Sequence, residues 1–130
     1  ALTVDWGKTL EYFHAPKIID YLSMDLEPPQ ITFQAVRRIP FDQYKFKVIT
    51  YEHDFYRGVI HGHSIGWSPI GEFYDGVSTP EGRRDGAREF FHNLGYHRVS
   101  TPMLDTYFPN LSASEDWYTC EHYEGVEYDT

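Results

Sequence analysis

The chain has 130 residues and a formal net charge of −9, and 41% of its residues are hydrophobic against 24% charged. This composition excludes a disordered chain, and the acidic excess excludes sequence-independent nucleic-acid binding, which needs basic residues to release counterions. One cysteine, Cys120, excludes an intramolecular disulfide, and no apolar run approaches the ~20 residues that span a bilayer, so a soluble cytoplasmic domain is expected.

Residues 1–17 read as a lead-in. An extended start gives way to a short helical turn over Lys8–Phe13 with Leu10 and Phe13 on one side, closed by Pro16. Ile18, Ile19, Tyr21, Leu22 and Met24 then make a dense apolar run that ends in Asp25, Glu27 and the breakers Pro28-Pro29. A short apolar run bounded in this way predicts a strand over 18–25, covered on both faces. Gln30–Ile39 predicts a helix, with Ile31, Ala35, Val36 and Ile39 on one arc and Arg37 and Arg38 near its end, where cations suit the dipole. Pro40 closes it, and a second strand is predicted at 45–52, ending in Glu52-His53-Asp54. Together these form a βαβ unit over 18–55 with a right-handed parallel crossover. Its acidic strand ends stand at the carboxyl edge, where open α/β sheets bind ligands.

Residues 56–86 change character. Gly58, Gly62, Gly66, Gly71, Gly76, Gly82 and Gly86, with Pro69 and Pro80, predict a long irregular Gly-rich insertion. Regularity returns with a helix over Ala87–Leu94, carrying Phe90 and Phe91 and followed by Gly95 as its C′ residue. A strand at Tyr96–Thr101, a loop at Pro102–Asn110, a final strand at Ser114–Cys120 and an acidic tail at 121–130 complete a single domain. The order β-α-β-loop-α-β-β is α/β.

The runs APKIIDYLSMDLEPPQITFQAVRRIPFDQYKFKVITYEHDF, REFFHNLGYHRVS and EDWY resemble the C-terminal half of FkbM-type methyltransferases. The family pattern there is a strand ending IDYLSxDxEG, a helix, then IPFxxYxFxxIxxEH. A helix ending in Leu-Gly-Tyr and an Asp-Trp strand follow. The likeness covers residues 9–55 and 87–118. It implies a partial doubly wound, Rossmann-like sheet, in which the strands at 18–25 and 45–52 would be the fourth and fifth. The final pair would be the antiparallel sixth and seventh.

Two departures shape the expectation. Pro28-Pro29 stand where the family has a glycine, and no Gly-rich turn follows a strand upstream of Asp20. The glycines of 58–86 lie after the wrong strand and are not spaced as G-x-G-x-x-G. The resemblance therefore implies S-adenosylmethionine only if a missing half is supplied. The expected role is a methyltransferase-like domain, non-catalytic on its own, acting as a structural or binding subunit. The alternative is S-adenosylmethionine-dependent O-methyl transfer to a sugar or metabolite hydroxyl, as half of a split enzyme. A sheet edge where earlier strands would pair has to be covered, which implies a homo-oligomer or a partner subunit, in the cytoplasm or in a virion.

Under the resemblance, Asp25, Glu27, Glu52 and His53 are the candidate catalytic residues, arranged around the methyl acceptor and acting mainly by positioning it. Strand alternation would place Asp25 and Glu27 on one side, to orient a hydroxyl or bind a cation. Equally, Glu27 would cap the Pro-started helix and Asp25 would meet backbone donors. His53 has the chemistry of a general base with a carboxylate fixing its tautomer, and a hydrogen-bonded strand-end triplet explains the same residues. His61 and His63 are the candidate metal ligands, spaced to face one side but lacking Cys partners or a third spaced ligand. Arg83, Arg84 and Arg88 form one basic cluster, suited to a phosphate or to a solvated helix start. Trp6, Trp67 and Trp117 read as core or interface anchors.

Overall fold

The computed structural model describes residues 5–27, 29–57 and 79–129. Its helices are α1 (Trp6–Tyr12), α2 (Pro29–Val36), α3 (Pro80–Asn93) and α4 (Thr101–Tyr107), and its strands are β1 (Ile18–Met24), β2 (Lys45–Glu52), β3 (His97–Arg98) and β4 (Glu115–Thr119). The strands form one open mixed sheet in the order β1-β2-β4-β3. β1 and β2 pair in parallel around α2, whereas β4 runs antiparallel to both β2 and β3.

Most helix ends follow from local chemistry. Asp5 caps α1 by accepting the Lys8 N–H at 3.0 Å. The helix stops at Tyr12, so Phe13 turns outward instead of sharing a face with Leu10, and Tyr12 and Phe13 are 77% and 73% exposed. α2 starts at the buried Pro29, whose fixed φ suits a first helical turn. It ends at Val36, earlier than the predicted Ile39, and a tight turn with Ile39 N–H on the Val36 carbonyl carries the chain to Pro40. Thr32 ties this helix back to β1, since its Oγ1 both accepts from Leu26 N–H and donates to the Leu26 carbonyl.

Three corrections fall on the second half. α3 begins at Pro80 rather than Ala87, because Thr79 caps it through Gly82 N–H at 3.0 Å and Pro80 opens its first turn. Arg83, Ala87 and Phe91 then make a buried stripe at helical spacing, which outweighs the two glycines inside the helix. Residues 102–110, read as loop, begin as α4, capped by Ser100 on Met103 N–H with Leu104 buried beneath. The strand expected at 96–101 contracts to His97–Arg98 because Ser100 already starts that helix. The remainder of the predicted insertion, 58–78, with His61, His63 and Trp67, lies outside the described residues.

The core lies on the sheet face covered by α2 and α3. Ile49, Tyr51 and Tyr118 pack there against Val36, Ala87 and Phe91, and Phe41 joins edge-on with Phe46, Phe90, Phe91 and Tyr96. On the opposite face Val48, Trp117 and Thr119 meet α4, Tyr123 and Val126 around an apolar cavity of about 360 Å³. β1 is not covered on both faces as its apolar run suggested. Among the described residues it is an edge strand, with Ile18 and Tyr21 more than half exposed and Met24 buried.

Candidate functional site

The carboxyl ends of β1 and β2, together with the start of the antiparallel β4, bring a band of charged residues to one end of the sheet. Glu52 is paired in register with Glu115, so His53, Asp54 and Asp116 gather beside it. The chain leaves β2 through a fixed corner. The N–H groups of both His53 and Asp54 donate to the Ser114 carbonyl at 2.8 and 2.9 Å, and Asp54 takes a left-handed φ of 50°. That conformation is uncommon outside glycine, with Asp and Asn the usual exceptions.

A buried arginine locks the corner. Arg83, projecting from α3, donates through Nε to the His53 carbonyl at 2.8 Å and through Nη2 to the Asp54 carbonyl at 2.7 Å. Burial pulls its pKa down despite the nearby Asp54. Behind it, Arg88 makes a two-pronged pair with Asp116, Nε to Oδ2 and Nη2 to Oδ1, both at 2.8 Å. Burial opposes ionisation of Asp116, but the two hydrogen bonds and the charge of Arg88, with the His53 ring beside them, overcome it and hold the carboxyl well below its ordinary range. The third arginine, Arg84, lies over the Phe55 ring and pairs with Asp85. The basic cluster of the sequence thus divides into three separate jobs, none of them a phosphate cradle.

His53 is fully buried. Its Nδ1 accepts the Phe55 N–H at 3.1 Å, which leaves the proton of the neutral ring on Nε2, and Nε2 faces Asp116 Oδ1 at 3.5 Å. A general base must reach the proton it removes. This ring instead points inward and helps to set Asp116.

The exposed side of the same edge is carboxylate-rich. Glu52 is half-buried, and its pKa is pushed up to about 9, first by burial and then by the neighbouring carboxyls of Asp25 and Asp54. Both causes favour its protonated form. Asp54 Oδ1 is buried without a hydrogen-bond partner, while its Oδ2 lies 3.4 Å from Arg57 Nη1. Arg57 Nη1 also reaches both oxygens of Glu27 at 2.8 Å.

The four predicted catalytic residues therefore come to one end of the sheet but are held by different partners. Asp25 joins Glu52, Glu27 joins Arg57, and His53 stands behind them. β1 ends at Met24, so strand alternation no longer governs the two acids beyond it. Asp54 ended the predicted second strand and Arg83 and Arg88 stood in the basic cluster, whereas Asp116 was not marked by the sequence. The available signal was Arg83, Ala87 and Phe91 at four-residue spacing.

Among the described residues no group of three or more His, Cys, Asp or Glu side chains is arranged to hold a metal ion. Nor do these residues fit S-adenosylmethionine, which is cradled by a glycine-rich turn after a strand. Here β1 and β2 run instead into Asp25-Leu26-Glu27 and His53-Asp54, both acidic. No family model matches the chain, and neither a curated protein nor a solved structure matches it.

Proposed function

We propose that this chain is a methyltransferase-like module of the FkbM type, non-catalytic by itself, that serves as a binding or structural subunit whose sheet is continued by another polypeptide. The observation that carries this reading is the outer side of β1. Among the described residues it pairs with no strand, although it belongs to a parallel unit and exposes Ile18 and Tyr21. A bare edge of this kind invites strand addition. Further support comes from the element order, a parallel βαβ unit followed by an antiparallel pair, which is what the resemblance implies.

A second reading rests on the carboxyls. Asp25 and Glu52 stand together at the carboxyl edge, where they would position a hydroxyl for O-methyl transfer to a sugar or metabolite. In that reading another polypeptide supplies the cofactor-binding half of a split enzyme. Titration calorimetry with S-adenosylmethionine and S-adenosylhomocysteine, with mass by light scattering in the same buffer, tests the module reading. No binding by the chain alone is expected. Micromolar binding by the isolated chain would overturn the module reading.

A further inference from the structure

We propose that the occupant of the β1 edge is a second copy of this chain, paired antiparallel through β1 in the register centred on Tyr21, so that two sheets join as one. The proposal rests on the reading that this edge is completed by a polypeptide, and it names which one.

The register follows from the strand itself. A two-fold axis through Tyr21 overlaps all seven residues of Ile18–Met24 with their own copies, Ile18 against Met24 and Ile19 against Ser23. The same register sets Lys17 of each copy opposite Asp25 of the other. Lys17 is the one basic residue between His14 and Met24, and Asp25 is the first acid past the strand. Full overlap and charge matching thus select the same alignment. A shift to match Lys17 with Asp20 would leave the end of each strand unpaired.

The side chains suit this arrangement. Lys17 and Asp25 flank β1 at its two ends, and like Tyr21 at its centre they are exposed. Tyr21 meets its own copy at the axis, and cross-strand aromatic pairs are among the stabilising ones. Its hydroxyl is already fixed by Thr50 Oγ1 at 2.7 Å, so little side-chain freedom remains to be lost. Asp20, opposite Leu22 of the copy, has its charge met within its own chain by Lys47 at 3.4 Å. The exposed Tyr12–Phe13 pair precedes β1, and the exposed Leu26 follows it. Antiparallel pairing brings the start of each strand beside the end of the other, so these apolar groups approach across the axis.

Directly opposed residues are close enough for a disulfide, and this gives the test. In a Cys120→Ser background, Tyr21→Cys is expected to oxidise to a covalent dimer of twice 15.3 kDa, while Ser23→Cys, displaced from the axis, stays monomeric on a denaturing gel. Lys17→Glu is expected to weaken association about tenfold by light scattering, since two exposed pairs become repulsive, and adding Asp25→Lys is expected to restore it. Far-ultraviolet circular dichroism confirms that each variant folds. Failure of Tyr21→Cys to cross-link, equal cross-linking at position 23, or indifference to Lys17→Glu would overturn the proposal. A chain that remains monomeric and does not bind S-adenosylmethionine would overturn the self-pairing alone. Micromolar S-adenosylmethionine binding would instead defeat the module reading beneath it.

Discussion

The two edges of the sheet are handled in opposite ways. At the β3 side the chain closes on itself. The predicted acidic tail returns alongside it, with Val99 bridged to Tyr128, Ser100 N–H on the Glu127 carbonyl at 2.7 Å and Asp129 N–H on the Arg98 carbonyl at 2.9 Å. Arg98 then pairs with Asp129, whose carboxylate also caps α4 through Thr101 N–H and Oγ1. Tyr128 reaches Thr119 Oγ1 and stacks on His122, which meets His97 edge-on. At the β1 side no such return exists among the described residues, and the strand offers a tyrosine, an isoleucine and flanking charges. An edge sealed by several charge-assisted bonds has nothing left to recruit, whereas an exposed one with a matched acid and base is a surface for recognition.

Breaking the strand that supports the sealed edge has the largest expected effect. Arg88→Ala leaves Asp116 buried without its counter-charge on β4, and a loss of about 3 kcal/mol in urea-unfolding free energy is expected. The depressed pKa of Asp116 adds a pH signature. Its stabilising contribution is present above the ordinary carboxylate range and is lost as pH falls into strong acid. Unlatching the sealed edge is milder. Asp129→Ala removes one ion pair and the α4 cap contacts, for an expected loss of about 1 kcal/mol.

Glu52→Gln probes the other end and changes sign with pH. Because the folded value of Glu52 is raised to about 9, its contribution is fully present below about 4.5 and is lost as pH rises toward 9. The amide, which never ionises, is therefore expected to raise the melting temperature by a few degrees at pH 8 and to leave it unchanged at pH 4. Smallest of all, Tyr21→Thr at the open edge should alter the unfolding free energy of the dilute chain by less than about 0.5 kcal/mol. A cost equal to that of Asp129→Ala would mean that the β1 edge is closed already.

How much of this was legible in the sequence depended on the range of the deciding force. The βαβ unit came through well, since apolar runs and prolines act locally, and β2 spans the predicted 45–52. α3 was legible from Thr79-Pro80 as a cap and first turn, but the density of glycines around it masked that signal. The exposure of β1 could not be read from its apolar residues, because an edge and a central strand differ in their neighbours rather than in composition. The site was half legible for the same reason. Acids at strand ends announce the carboxyl edge, while the inward turn of His53 depends on Phe55, Asp116 and Arg83, which come from three other segments.

Hydrogen exchange read at dilute and at high protein concentration tests the central claim most directly. Amides of 18–24 are expected to gain protection as concentration rises, while those of 97–100 and 127–129 exchange equally slowly at both. Equal exchange of the β1 amides at the two concentrations would contradict an edge completed by a second copy.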